Sequence, residues 1–210
     1  MDVSFWHERW ASRDIGFHEG DANQLMVNSF HELDLAQGAR IFIPLCGKTR
    51  DIAWMLSQGY HVVGVELNEG AVLELFSELD IEPVASEAEG LIRYHEQNID
   101  IFVGNIFDVT AEILGPVDAI YDRAALVALP LVSRRQYTKH LQTITDNAPL
   151  LLITYEYDQT KYEGPPFSIV GDEINSHYGE HYHISQLASR EVPGGIKGVV
   201  SGKEKVWLLN

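Results

Sequence analysis

The residues best suited to chemistry lie at the ends of two apolar runs. Residues 40–45 lead into a loop that contains Gly47, and residues 62–65 lead into Glu66. In doubly wound nucleotide-binding folds, an acidic residue about 20 positions after the first loop accepts hydrogen bonds from ribose hydroxyls. Glu66 is therefore a candidate ribose ligand. The alternative is a solvated carboxylate at the end of a strand.

The first loop reads Cys46-Gly47-Lys48-Thr49, which partly matches a phosphate-binding loop. A Walker A loop needs an earlier glycine, and the chain has Phe42 at that position. The glycines of a dinucleotide fingerprint are also missing, which disfavours NAD and FAD. A ligand with a ribose but no phosphate is favoured, and S-adenosylmethionine fits that description.

Two further strand ends carry polar side chains. Asn105 follows residues 99–104 and could bond to an adenine amino group, while Ile106 could cover the adenine face. Arg123 follows residues 117–121. From the residues alone, its guanidinium either lies beside the ligand, where it would favour an ionised group, or forms a structural ion pair with Asp122.

The other candidate ligands are weaker. Cys46 is the single cysteine, so we expect no intrachain disulfide and a small buried hydrophobe at that position. His177, His181 and His183, with Glu180 beside them, have a spacing that could bind a divalent metal. Scattered surface histidines are common, and we predict no metal site.

A parallel sheet would bring these strand ends together. Apolar runs alternate with helical patterns: the runs are residues 40–45, 61–67, 99–104, 117–121 and 149–155, and the patterns are residues 48–58, 69–79 and 133–144. This alternation predicts a doubly wound, Rossmann-like α/β fold with a mostly parallel sheet. Residues 183–191 and 203–209 follow without a helix between them, which predicts an antiparallel C-terminal hairpin at one edge. The expected sheet has seven strands.

The N-terminal segment precedes the sheet and is rich in aromatic residues. It contains Trp6, Trp10 and Phe17, then an amphipathic run in which Asp21 and Gln24 would form a capping box. We predict one domain over residues 1–210, with a helical lid at 1–38 and a core at 39–210. The alternative is that these aromatics only seal the edge of the core.

Charge and composition exclude several classes of partner. The formal net charge is -16, which disfavours binding to nucleic acid and to anionic membranes. The chain begins with polar and charged residues rather than an apolar signal core, and no apolar stretch is long enough to span a bilayer. We expect a cytoplasmic monomer that acts on a small molecule.

With these segments placed, the chain resembles the thiopurine S-methyltransferases, including their bacterial members. The matching stretches are Phe5-Trp6 with Trp10, Gly16-Phe17-His18, Ile43-Pro44-Leu45-Cys46-Gly47-Lys48, Val62-Val63-Gly64-Val65-Glu66, Asn105-Ile106-Phe107-Asp108, Tyr121-Asp122-Arg123-Ala124-Ala125-Leu126-Val127-Ala128, Tyr157-Asp158 and Gly164-Pro165-Pro166-Phe167. The combination of Pro-Leu-Cys-Gly-Lys, Asp-Arg-x-Ala-Leu and Gly-Pro-Pro-Phe is specific to this family.

The resemblance implies methyl transfer from S-adenosylmethionine to small aromatic or heterocyclic thiols, with S-adenosylhomocysteine as the product. Such a reaction depends on alignment and exclusion of water rather than on a protein nucleophile. By resemblance, Arg123 is catalytic, and Phe17 and Arg123 face the acceptor. The implied cofactor site consists of Trp6, Trp10, Leu45, Gly47, Glu66, Asn105, Ile106 and Arg123.

The C-terminal third departs from the family pattern. Animal members have a longer basic segment before the last strand, whereas this chain has a short Pro-Gly-Gly connection with only Lys197 nearby. The acceptor is therefore open, and selenium or tellurium compounds are an alternative. A non-catalytic nucleotide- or cofactor-binding module on the same fold is another. A nicotinamide-dependent enzyme is disfavoured by the missing glycines.

Overall fold

The computed structural model describes residues 3–15 and 18–210 of the chain. These residues divide into two compact units: Met1–Gln24 with Leu35–Ala119, and Leu25–Asp34 with Ile120–Asn210. The expected lid over residues 1–38 is thus shared between the units. The fold is a Rossmann-like α/β fold with a mixed sheet of nine strands.

The first unit contains five strands in the order β3-β4-β5-β2-β1. Their bounds are β1 Arg40–Pro44, β2 His61–Glu66, β3 Val84–Ala88, β4 Leu91–Glu96 and β5 Ile99–Val103. Its helices are α1 Val3–Ala11, α3 Arg50–Ser57, α4 Glu69–Glu78 and α5 Ala111–Leu114. β2 pairs in parallel with both β1 and β5, so the carboxyl ends of these three strands meet at one edge.

Burial explains why the inner strands were predictable. Phe42 of β1 and Val63 of β2 are fully buried, as expected for strands covered on both faces. The helices that follow β1 and β2 are capped by side chains of the preceding loops. The Thr49 hydroxyl accepts a hydrogen bond from Asp51 N at the start of α3, and the Asn68 side chain accepts one from Ala71 N at the start of α4.

The prediction of seven strands was wrong, because β3 and β4 had not been predicted. Four of the five residues of β3 are exposed and the fifth, Ala88, is half-buried. Val84 and Ile92 are exposed apolar residues. Neither strand forms the continuous apolar run from which the others were predicted. Both lie in antiparallel pairing with their neighbours, and Arg93 of β4 forms an ion pair with Asp100 of β5.

The second unit contains four strands in the order β6-β7-β9-β8. Their bounds are β6 Ala119–Arg123, β7 Leu150–Tyr157, β8 Ile184–Glu191 and β9 Gly202–Leu209. Its helices are α2 Gln24–Ser29, α6 Leu131–Thr145 and α7 Gly171–Tyr178. β6 and β7 are parallel, whereas β9 pairs antiparallel with both β7 and β8.

Two helix starts differ from the sequence prediction. α2 begins at Gln24, so Asp21 does not cap it; Asn23 N instead donates to Asp51 Oδ1 at 2.7 Å, a contact that links distant parts of the chain. α6 begins at Leu131 after Pro130, ahead of the predicted cap Ser133. Within the described ranges 3–15 and 18–210, no helix has the length and apolar character needed to cross a membrane.

Candidate active site

Glu66 is held at the carboxyl end of β2 by backbone N–H groups from two loops. Gly47 N donates to Glu66 Oε2 at 2.8 Å, and Asn68 N donates to Glu66 Oε1 at 2.8 Å. Burial raises the pKa of this carboxyl, and hydrogen bonds from Asn68, Gly47 and Leu67 partly oppose that rise. Because a carboxylate oxygen can accept more than one hydrogen bond, Glu66 can still bind two hydroxyls of a ligand.

The loop after β1 has an unusual backbone conformation beside this carboxylate. Leu45 has φ 49° and Gly47 has φ 52°, and both values lie in the left-handed region. A leucine rarely adopts that region, and such strain is typical of functional loops. Cys46 N donates to Val65 O at 3.0 Å, which fastens the loop to β2 next to Glu66.

Helix α1 contacts the same loop through Trp10. A Cβ atom added to Gly47 would lie 3.2 Å from Trp10 Cζ2, so the indole covers the glycine. Trp10 is buried, whereas Trp6, one turn earlier, is half-buried and packs edge-on against Phe5 at 5.2 Å between ring centroids. The structure therefore brings Trp10, Gly47 and Glu66 together. Trp6 lies on the same helix as Trp10.

The strand end of β5 lies beside Glu66 as well. Gly104 N donates to the Glu66 backbone carbonyl at 2.9 Å. Asn105 Oδ1 accepts a hydrogen bond from Phe107 N at 3.1 Å and so caps a short 3-10 turn that begins at the buried Ile106. Asn105 therefore shapes the turn that positions Ile106. A hydrogen bond from Asn105 to an adenine would be a second role.

Lys48 does not offer its charge to a phosphate. Its ammonium group lies 2.9 Å from Glu74 and 2.6 Å from Glu78, two carboxylates one turn apart on α4. Arg13, just after α1, contacts Glu74 at 2.8 Å. The Gly-Lys-Thr tripeptide thus serves an ion-pair network, in agreement with the missing Walker A glycine.

Arg123 lies in the second unit at the end of β6. It is half-buried and pairs with Ile153 of β7. The preceding Asp122 is fully buried and accepts hydrogen bonds from the Tyr137 hydroxyl at 2.6 Å and from Leu126 N at 3.1 Å. Burial raises the pKa of Asp122 to about 6. The carboxylate that sequence reasoning had offered as an ion-pair partner is therefore bound by a tyrosine and the backbone.

Cys46 occupies a tight, buried position. A Cβ atom added to Gly64 would lie 2.8 Å from its Sγ, and burial raises the pKa of the thiol well above its ordinary value. A neutral buried thiol behaves as a small hydrophobe, as the sequence suggested. The predicted acceptor residue Phe17 lies outside the described residues.

Of the three histidines whose spacing could bind a metal, His177 has a carboxylate partner. His177 Nε2 lies 3.2 Å from Glu173 Oε1, and Glu173 is also bound by Arg134 Nε at 2.6 Å. Across residues 3–15 and 18–210, no three His, Cys, Asp or Glu side chains form a group that could hold a metal ion.

Sequence reasoning missed Asn68 and Tyr137. The first had a usable signal, because an asparagine two residues after a strand-ending acid can cap the next helix. The second had none, since the contact between Tyr137 and Asp122 depends on how α6 packs on β6. Backbone donors such as Gly47 N are likewise invisible in a sequence.

Comparisons with known proteins agree on the family. The family model for thiopurine S-methyltransferase matches residues 1–210. The thiopurine S-methyltransferase of Xanthobacter autotrophicus is 50% identical over 210 residues, which cover 100% of this chain and 99% of that protein. The thiopurine S-methyltransferase of Teredinibacter turnerae is 47% identical, with 100% and 98% covered.

Solved structures with much lower identity share the fold. One is a SAM-dependent methyltransferase from Anabaena variabilis, with a TM-score of 0.67, 15% identity, and 99% of this chain and 94% of that chain covered. Another is the Burkholderia thailandensis 1,6-didemethyltoxoflavin-N1-methyltransferase with bound S-adenosylhomocysteine, with a TM-score of 0.66, 14% identity, and 99% and 87% covered. The full-length match to the family model and the relatives at 50% and 47% identity show that the chain belongs to the thiopurine S-methyltransferase family.

Proposed function

We propose that the protein transfers a methyl group from S-adenosylmethionine to the sulfur of small aromatic or heterocyclic thiols. The observation that carries this proposal is the Glu66 carboxylate, buried at the carboxyl end of β2 and held by Gly47 N and Asn68 N. This carboxylate suits a ribose diol. Membership of the thiopurine S-methyltransferase family and close relatives of that name support the reaction.

The proposed cofactor site fits the residues present. Glu66 would accept both ribose hydroxyls, Ile106 would cover the adenine, and the strained loop at Leu45 would meet the methionine tail. S-adenosylmethionine would supply an electrophilic methyl group on its sulfonium. The full proposed set of cofactor-binding residues is Trp6, Trp10, Leu45, Gly47, Glu66, Asn105, Ile106 and Arg123.

For the chemical step we propose alignment without a protein nucleophile. The acceptor thiol first loses its proton to solvent, and the Arg123 guanidinium favours the resulting thiolate. The thiolate then forms a bond to the methyl carbon as the bond from that carbon to the sulfonium breaks. The opposite charges are neutralised, so a dry site accelerates the step. Phe17 and Arg123 are the proposed acceptor-side residues.

We further propose that residues 1–210 work as one cytoplasmic, monomeric domain in which residues 1–38 act as a lid on residues 39–210. The C-terminal antiparallel strands β8 and β9 would form one edge of the sheet in the core. The contacts of Trp10 with Gly47 and of Arg13 with Glu74 support the lid. The net charge of -16 argues against nucleic acid and anionic membrane partners.

An assay with defined acceptors tests the proposed function. The purified protein is incubated with S-adenosylmethionine and mercaptopurine or thiophenol, and the S-methyl product is detected by mass spectrometry. We expect turnover on both thiols. Parallel reactions contain selenite or tellurite with a reductant. Turnover on these alone would replace the thiol by a selenium or tellurium acceptor, and tight binding of S-adenosylhomocysteine without any turnover would indicate a non-catalytic module.

Limited proteolysis tests the lid. We expect S-adenosylhomocysteine to slow chymotryptic cleavage within residues 1–24 several-fold, because a ligand beneath α1 would favour the closed position of Trp10. Without ligand, Arg13→Gln is expected to speed cleavage, since it removes the ion pair with Glu74 on α4. Raised salt should speed cleavage of the wild-type protein in the same direction.

Arg9→Gln is the matched control for the lid. Arg9 lies on α1 and pairs at 2.7 Å with Asp14, so its ion pair is local and does not reach α4. This variant loses the same charge and should be cleaved at the wild-type rate. Equal cleavage of the wild-type protein with and without S-adenosylhomocysteine would rule out a ligand-responsive lid.

A further inference from the structure

We propose that Asp122 is a positioning residue for methyl transfer: with Tyr137, its carboxylate fixes the turn after β6 and thereby the position of Arg123. The inference rests on the proposed function, in which Arg123 faces the acceptor. It assigns a task to a buried acid that the transfer chemistry itself does not use. The turn comprises residues 124–129.

The contacts of Asp122 surround the start of this turn. Its Oδ1 atom accepts a hydrogen bond from Leu126 N at 3.1 Å, and Ala125 N also donates to the carboxylate. Its Oδ2 atom accepts a hydrogen bond from the Tyr137 hydroxyl at 2.6 Å. Arg123 therefore lies between a buried anchor in β6 and two backbone amides tied to that anchor.

The turn needs such an anchor because its backbone is strained. Ala124, directly after Arg123, has φ 64°, a left-handed conformation that alanine rarely adopts. Such a conformation persists only where surrounding contacts determine it. Asp122 supplies those contacts immediately beside the strained residue, so loss of the carboxylate would allow the turn to relax and the guanidinium to move.

The far end of the turn is fixed by other groups. Phe167 N donates to Val127 O at 2.7 Å, and Arg134 Nη1 donates to Leu129 O at 2.7 Å. Those contacts do not involve Asp122. A change at Asp122 should therefore loosen residues 124–126 and leave the remainder of the turn in place, which makes the effect local and measurable.

The ionisation of Asp122 gives this device a pH dependence. The titratable groups facing Asp122 are Tyr137 from α6 and Tyr178 from α7, whose hydroxyl has no hydrogen-bond partner among the described residues. Burial and the neighbouring Asp122 raise the pKa of Tyr137 well above its ordinary value, and burial does the same for Tyr178, so both stay neutral in the relevant range. Asp122 is thus the group that titrates.

The direction of the pH effect follows from the raised pKa of Asp122. Burial raises the pKa of Asp122 from 3.8 to about 6, so the folded state binds its proton more tightly than the unfolded state does. The free energy of unfolding therefore falls as the pH rises between those two values. The charged form of Asp122 nevertheless makes the hydrogen bonds that hold the turn. As the pH falls through about 6, Asp122 is protonated, these bonds weaken, and methyl transfer should decline.

The test uses pentafluorothiophenol, a thiol acidic enough to remain ionised across the assay range, so that the acidic limb of kcat reports on the enzyme. We expect a wild-type limb near Asp122's pKa of about 6. Tyr137→Phe removes a hydrogen bond that lowers this pKa, so the limb should move to higher pH by roughly half a unit or more. Asp122→Asn should flatten the limb and lower kcat at least several-fold.

A second readout is independent of turnover. Amide exchange of Ala125 and Leu126, measured by NMR and corrected for intrinsic rates, should lose protection in both variants and in the wild type below the pKa of Asp122. Tyr182→Phe is the matched control, because that hydroxyl donates to Ala148 O at 3.0 Å, away from Asp122. It should change neither the limb nor the exchange.

The outcomes separate this inference from the proposed function. Unchanged amide protection in Tyr137→Phe and Asp122→Asn would overturn the positioning role, as would an acidic limb that neither variant moves. A wild-type protein that methylates no thiol would refute the proposed function, and amide exchange would then decide whether Asp122 holds the turn.

Discussion

Glu66→Ala should lower the affinity for S-adenosylhomocysteine by at least about 100-fold. Two hydroxyl donors would lose a charged acceptor, and each hydrogen bond to a charged group contributes roughly 1.5–3 kcal/mol. Gly47 N and Asn68 N would also lose the carboxylate to which they donate, so the two loops would no longer be pre-organised. Isothermal titration calorimetry of both proteins measures the difference directly.

Glu66→Gln sharpens this test because it keeps the shape of the side chain. Its amide nitrogen would face either Gly47 N or Asn68 N, donor against donor, so we expect a large loss of affinity here too. Glu69→Gln is the control: Glu69 is exposed at the start of α4 and contacts Tyr94. This control should bind S-adenosylhomocysteine like the wild type. Equal affinities in the wild type, Glu66→Ala and Glu66→Gln would remove Glu66 from the site.

The same carboxylate predicts a pH dependence of binding. Burial raises the pKa of Glu66, so the folded protein holds its proton more tightly than the unfolded chain does. As the pH falls through that raised value, the free protein gains a proton on Glu66 and loses an acceptor for the ribose. Affinity for S-adenosylhomocysteine should therefore decline on the acidic side in the wild type and much less in Glu66→Gln.

The part of the fold predicted from sequence is the part that is buried on both faces. Runs such as residues 40–45 and 61–67 predicted β1 and β2 to within one residue, because full burial leaves a continuous apolar signature. β3 and β4 left no such signature, since β3 is mostly exposed and β4 is buried only at Leu91. Each pairs antiparallel with the strand that follows it in the chain. The start of α2 was wrong because Asp51, far along the chain, meets Asn23 N.

The site followed a similar rule. Residue types at strand ends predicted Glu66 as a candidate ribose ligand, since parallel strands place such positions at one edge of a sheet. What completes the site comes from backbone groups and from packing between distant segments. The sequence does not show that the backbone N–H of Gly47 donates to Glu66. The contact of Tyr137 with Asp122 follows only from the placement of α6. The Lys48 ion pairs likewise depend on how α4 packs beside the loop.

Arg123→Ala should move the acidic limb of kcat for mercaptopurine to higher pH by about one unit and lower kcat at neutral pH roughly 10- to 100-fold. The guanidinium stabilises the thiolate, so its loss raises the pKa of the bound thiol and leaves less of it ionised at a given pH. A full pH profile of kcat, with substrate saturating at each point, measures both effects.

The controls separate this electrostatic role from packing. Arg123→Lys keeps the positive charge and should restore the position of the limb in part, although a lysine lacks the planar fork of the guanidinium. Arg135→Ala removes the same charge from an exposed site on α6 and should leave the profile unchanged. With pentafluorothiophenol, already ionised, Arg123→Ala should no longer shift a limb that belongs to the acceptor. A mercaptopurine profile of Arg123→Ala that coincides with wild type would show that the guanidinium does not act on the acceptor's ionisation.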